Sequence, residues 1–242
     1  MKGFFAAIRF ITILPLGKSA TYDPIGMIGF FPVAGLLIGG IVAIFDGLAT
    51  SVWPLPVVSI IDVVLLVVLT GALHIDGLAD AADGILAHHS KEKALAIMKD
   101  SRIGVMGMAA VVCALGLKWG GLSALTSQRA LVITLIPAYA RMAMVFAVRF
   151  LDYARPEGGT GHPLFEAPLS PSVFWGLPIL MGISTLLGWR ALLLNGAFLA
   201  ITAGTLWYYR KRFGGVTGDM LGALVEITES MLFLIVSAGT GL

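Results

Sequence analysis

Three aspartates, Asp76, Asp80 and Asp83, recur in the stretch Leu-His-Ile-Asp-Gly-Leu-Ala-Asp-Ala-Ala-Asp-Gly from Leu73 to Gly84, directly after a long apolar run. Offsets of four and seven put the three carboxylates on one face of a helix. Three anions sharing a face call for a cation, and carboxylate oxygens suit hard divalent ions such as Mg2+ or Mn2+, which bridge a protein's acids to the phosphates of a substrate. Acids at membrane depth are costly and usually functional, so Asp76, Asp80 and Asp83 are expected to form a metal or phosphate site. His74, two positions earlier, points elsewhere; a lone histidine at a membrane interface is more often a hydrogen-bonded filler than a ligand, though imidazole can bind metal or move protons.

A second group is Ile-Met-Lys-Asp-Ser-Arg-Ile-Gly at 97–104. Lys99 and Arg102 can hold phosphate oxygens, the arginine through its fork, and Asp100 can join the metal set or act as a base. Ser101 and Gly104 would let a diphosphate approach backbone N–H groups at the start of the following helix. A third group is Gly-Gly-Val-Thr-Gly-Asp at 214–219, followed by Glu226 and Glu229 inside an apolar segment. Asp219 and Glu226, seven apart, share a helix face, and acids this deep need a cation, a proton or water. Arg141, inside another apolar segment, is their natural counter-ion. Acids on two helices with basic residues between them point to phosphoryl transfer on a diphosphate, with a nucleoside monophosphate or pyrophosphate leaving.

These groups need elements to carry them. Of 242 residues, 58% are hydrophobic and only 12% charged, against roughly 25% charged in soluble domains. The reading is an all-α, polytopic integral membrane bundle, one domain over 1–242. Apolar stretches run at 27–46, 57–75, 104–125, 130–148, 173–189, 191–208 and 220–240, each near the ~20 residues a crossing needs, which predicts seven spans. Lys and Arg fall twelve to one side and two, Arg129 and Arg190, to the other, with Lys118 and Arg141 inside spans. That bias puts the N-terminus and all three groups on the cytoplasmic side of the cell membrane. The opening segment around Arg9 reads as an amphipathic helix on the membrane surface. Net charge is only +2 and the basic residues are scattered, so nucleic acid is not an expected partner. Cys113, the single cysteine, excludes an internal disulfide and is expected to be a small buried hydrophobe.

The three motifs, in that order, closely resemble the cobalamin synthase family, the adenosylcobinamide-GDP ribazoletransferases. The N-terminal Arg-Phe-Ile-Thr-Ile-Leu-Pro, beginning at Arg9, and the later Tyr-Ala-Arg-Pro-Glu-Gly around Arg155 are also similar to that family, so the resemblance spans the chain. It implies a membrane enzyme that joins adenosylcobinamide-GDP to alpha-ribazole or its 5'-phosphate with Mg2+, releasing GMP and giving adenosylcobalamin or its phosphate. It further implies Mg2+ on Asp76, Asp80, Asp83 and Asp219, catalysis by Asp83, Lys99, Asp100 and Arg102, and substrate contacts from Arg9, His74, Ser101, Arg141, Arg155, Thr217, Glu226 and Glu229. A homo-oligomer and other enzymes of nucleotide-loop assembly are expected partners besides the bilayer. Two features depart from expectation: Lys118 interrupts the third span, and residues 158–164 read Gly-Gly-Thr-Gly-His-Pro-Leu where a Gly-Leu-Gly pattern is implied.

Rival readings are a CDP-alcohol phosphotransferase, a polyprenyl transferase and an ion-coupled transporter. Asp80 and Asp83 begin an Asp-x-x-Asp-Gly pattern, but Leu86-Ala87-His88 follows with no Ala-Arg pair. No inverted repeat of the kind common in transporters is visible.

Overall fold

The computed structural model describes residues 2–15, 23–87, 90–155 and 157–239. Apart from one parallel bridge between Tyr153 and Val216, these residues form helices and their connections. The amphipathic pattern at the N-terminus folds as α1 (Lys2–Ile11), which buries Ala6, Ala7 and Ile11 and leaves Lys2 and Arg9 exposed. A 3-10 turn leads into α2 (Phe31–Ala49), with Pro32 in its first turn, where a missing N–H costs nothing. Then follow α3 (Leu55–Leu69), α4 (Leu73–Leu86), α5 (Lys91–Ile97), α6 (Val105–Ala124), α7 (Arg129–Phe150), α8 (Gly176–Ser184), α9 (Arg190–Phe213) and α10 (Gly218–Val236).

Among the described residues four helices are long and apolar enough to cross a membrane: Ile28–Ala49, α6, α7 and α9. The expected single span at 57–75 is not one helix. Gly71 and Ala72 both take left-handed backbone, φ +58° and +60°, the Ala72 N–H closes on the Val67 carbonyl at 2.9 Å, and α4 leaves α3 at 88°. The expected span at 173–189 is a short α8 flanked by 3-10 turns and stopped at Gly188, φ +62°.

Two helices form the centre. α7 is the most buried of the long apolar helices, and α2 lies against it through Gly35 and Gly39, where a Cβ would meet α7 backbone at 2.5 Å (Ala138 Cα) and 2.7 Å (Thr134 Cα). Small residues four apart let helix backbones meet this way in membranes. α10 touches α4, α6, α7 and α9, which is why its acids are enclosed. Arg129, assigned to the outer side by the charge count, is buried and bonds Asp46 at 2.6 Å, Asp62 at 2.8 Å and Ser59 at 3.1 Å. Cys113 corrects an expectation: it is exposed, on the outward side of α6, because the face of α6 that packs inward is the one carrying Ala114 and Lys118.

Candidate active site

The site is built where α4 crosses α10. A Cβ on Gly77 would stand 2.8 Å from the Asp219 carbonyl, and one on Gly222 would stand 3.2 Å from the Gly77 Cα. Glycine at both positions lets the backbones meet, which brings Asp76 and Asp80 of α4 beside Asp219 in the first turn of α10. Asp80 lies within the electrostatic reach of Asp76, Asp83, Asp219 and Arg155. A cavity of about 430 Å3 opens at this crossing, lined by Phe10, His74, Asp76, Met144, Thr160 and Asp219 among others.

A chain of polar links surrounds it. Asp83 accepts the backbone N–H groups of Gly104, at 2.6 Å, and Gly107, at 2.8 Å, capping the positive end of α6. That cap ties the 99–104 turn to α4. Lys99 pairs with Glu157, Arg155 donates to Asp219 at 2.6 Å, and Asp219 returns the chain to α10. The 158–164 loop therefore belongs to the site in spite of its unexpected sequence: Gly161 stacks on Gly218, where an added Cβ would sit 3.1 Å from the Gly218 Cα. Gly158 and Gly159, φ +80° and +156°, supply the backbone turn.

The expected site residues divide into three sets. The Asp76 and Asp80 carboxylates have no hydrogen bond or ion pair among the described residues; Asp76 lines the cavity, and Asp80 follows one helical turn on. In the second set, Asp100 accepts from the Arg102 side chain at 2.6–3.1 Å and from its backbone N–H at 3.1 Å. The Arg102 guanidinium and its backbone N–H hold the Asp100 carboxyl down at about 2. The Lys99 hydrogen bond and charge lower Glu157 similarly in direction. Lys99, Asp100, Ser101 and Arg102 are all accessible to a ligand from solvent. Arg9 is exposed at the end of α1, next to Phe10 at the cavity wall. Thr217 is buried and accepts the Met220 N–H at 3.2 Å, acting as the N-cap of α10.

The third set lies inside the bundle. Glu226 and Glu229 both accept from Lys118, at 2.7 and 2.6 Å. Arg141 pairs with Glu229 and reaches the Nδ1 of His74 at 3.3 Å. Two cations and two carboxylates thus neutralise one another in an enclosed cluster. Arg141 is the counter-ion expected from sequence; Lys118, the unexplained interruption of the third span, is the second. Its depth in α6 was the available signal. Tyr153 and Glu157 belong to the Tyr-Ala-Arg-Pro-Glu-Gly motif and Thr160 to the 158–164 loop, whereas Met144, also at the cavity, carried no signal in its sequence setting.

The donor set fits Mg2+ shared with a substrate. Among the described residues no group of three His, Cys, Asp or Glu side chains could hold a metal by itself. Mg2+ is ordinarily taken by one or two carboxylates together with substrate phosphates and water, which is what the unpartnered Asp76 and Asp80, one helical turn apart, provide.

The sequence profile of the family described as cobalamin-5-phosphate synthase matches residues 3–237. The chain belongs to that family. Similar proteins include the adenosylcobinamide-GDP ribazoletransferase of Synechococcus, 36% identical over 242 residues covering 97% of this chain and 95% of the relative. Those of Roseiflexus, at 37% over 92% and 84% of the two chains, and of Geotalea daltonii, at 32% over 97% and 96%, carry the same name. No solved structure matches the chain. Family membership removes the ground for the CDP-alcohol, polyprenyl and transporter readings. It also covers the synthase fold from α1 to α10, so the chain of links around the cavity lies wholly within the matched region.

Proposed function

We propose that this chain is a transferase that joins adenosylcobinamide-GDP to alpha-ribazole, or its 5'-phosphate, late in cobalamin biosynthesis, with release of GMP. The observation that carries the reading is the meeting at one cavity of Asp76 with Asp219, which Arg155 bonds and which lies within electrostatic reach of Asp80 one turn along α4, in a chain belonging to the cobalamin-5-phosphate synthase family. The ribazole hydroxyl attacks the cobinamide-side phosphorus in line with the departing GMP; one P–O bond forms, one breaks, and the hydroxyl proton goes to solvent or a nearby carboxylate. Bound Mg2+, held by Asp76 and Asp80, would lower the charge on the diphosphate. Arg155 contributes a planar fork suited to phosphate. Its bond to Asp219 keeps that cation at the cavity until substrate arrives. Lys99 and Arg102, in the exposed turn behind Asp83, receive the outer phosphate and the departing nucleotide.

The same reading makes the chain a single multi-pass membrane domain. Its crossings are seven: Ile28–Ala49, α3, α6, α7, the segment Pro171–Leu187, α9 and α10. The charge bias supports a cytoplasmic N-terminus and a site facing the cytoplasm. α4, turned 88° from α3, then lies along the cytoplasmic surface with its acids toward water.

The test is GMP release by the purified protein in lipid, given adenosylcobinamide-GDP, alpha-ribazole and Mg2+. Release requiring ribazole and metal is expected. Asp80→Asn should lower it by about 100-fold or more, since even outer groups around a metal cost 10–100-fold. Ribazole-independent release, or an unaffected Asp80→Asn, would overturn the reading.

A further inference from the structure

The face of α4 opposite its aspartates roofs a second cavity. Leu78, Ala82 and Ile85 of α4, Cys113 of α6, Tyr208 of α9 and Ile227 of α10 line a groove of about 460 Å3 that is almost wholly apolar. None of these residues belongs to the polar links around the active-site cavity. Leu86, Cys113, Gly204 and Tyr208 are exposed along it, so it opens outward between α6 and α9, the two long apolar helices with the least buried surface, 28% and 22%. In a bilayer that opening faces lipid. A groove left empty there would forfeit dispersion contacts along its whole lining.

The charge at its mouth selects the occupant. Gly204, Tyr208 and Lys211 lie at i, i+4 and i+7, on one face of α9, so the apolar stripe of that helix runs into cations. Lys211 sits 5.0 Å over the exposed Trp207 ring. Arg212 follows, within electrostatic reach of Glu92 beside Lys91, and the Lys91 ammonium lies 3.6 Å from where a Cβ of Gly214 would stand. Lys91, Lys211 and Arg212 thus gather three cations at this margin, with Glu92 beside them.

We propose that the groove between α4, α6, α9 and α10 binds one acyl chain of an anionic phospholipid, with the headgroup phosphate at Lys91, Lys211 and Arg212. The site is distinct from the active-site cavity and needs no turnover to be detected.

The lone cysteine reports on occupancy. The full chain in detergent is alkylated at Cys113 with N-ethylmaleimide while phosphatidylglycerol, phosphatidylcholine or inorganic phosphate is titrated in. Phosphatidylglycerol should slow alkylation at about fivefold lower concentration than phosphatidylcholine for each cation engaged, and inorganic phosphate should have no effect. Lys91→Gln, Lys211→Gln and Arg212→Gln combined should bring the two lipids to parity, and Lys91→Gln with Arg212→Gln alone should leave about a fivefold preference. Ala110→Trp, which fills the groove, should protect Cys113 without lipid, and folding is checked by retained GMP release. Equal protection by both lipids in the wild type, or none by either, overturns the proposal. Protection that rises with protein concentration in the absence of lipid also overturns it, naming a second copy as the occupant.

Discussion

Gly77 of α4 and Gly222 of α10 meet backbone to backbone, so close that a Cβ on Gly222 would be 3.2 Å from the Gly77 Cα and equally close to the His74 carbonyl oxygen. This contact sets how near Asp76 and Asp80 come to Asp219. Gly77→Ala should separate the helices, costing about 1–3 kcal/mol of stability by overpacking and most of the GMP release. Gly116→Ala, on α6 with nothing near its added methyl, should be neutral or slightly stabilising. Thermal unfolding and turnover of the two variants side by side make the comparison; equal behaviour would remove the crossing as the organiser of the site.

Arg155 and Asp219 form one unit. Arg155→Lys keeps the charge and loses the two-pronged fork, so the KM for adenosylcobinamide-GDP should rise by about tenfold, the loss of one charge-assisted hydrogen bond of roughly 1.5 kcal/mol. Asp219→Asn frees the guanidinium and should change KM less. Steady-state kinetics at saturating ribazole separate the two effects.

The Asp100 carboxyl, held near 2 by the Arg102 guanidinium, does not titrate where the enzyme is assayed. A depressed carboxyl stabilises the folded turn above its ordinary value of 3.8, and that contribution fades only as pH falls through about 2. The pair is exposed, so the effect on global stability is small. Any acid limb in the pH profile of GMP release between about 5 and 7, where His and perturbed carboxyls titrate, should persist in Asp100→Asn. Its disappearance would make Asp100 the titrating base after all.

Lys118, Glu226, Glu229 and Arg141 balance two charges of each sign. Lys118→Met should cost about 3–5 kcal/mol by leaving a buried carboxylate uncompensated. Adding Glu226→Gln should recover part of that loss, since it restores neutrality. Unfolding midpoints of the single and double variants in detergent test the coupling; additive losses would mean the cluster is not a charge-balanced unit.

The sequence by itself determined the helical membrane character, the membership of Asp76, Asp80 and Asp83 in one helix, and the pairing of Arg141 with a deep acid. These follow from short-range periodicity and from the cost of an unpaired charge in an apolar segment, both readable along a line of residues. What only the tertiary structure decided was which partners those residues meet. The break after Leu69 depends on two successive left-handed residues, one of them an alanine, Ala72, which no local preference announces. Lys118 found Glu226 and Glu229 across more than a hundred residues, and Asp83 became the cap of α6 because the 99–104 turn folds back upon it. Gly77 reads in sequence as a weak helix residue and becomes the contact that closes the site only when Gly222 arrives from the far end of the chain. Long-range packing chose these pairs, because burial and steric fit depend on what lies opposite in space, which the order of residues along the chain does not specify.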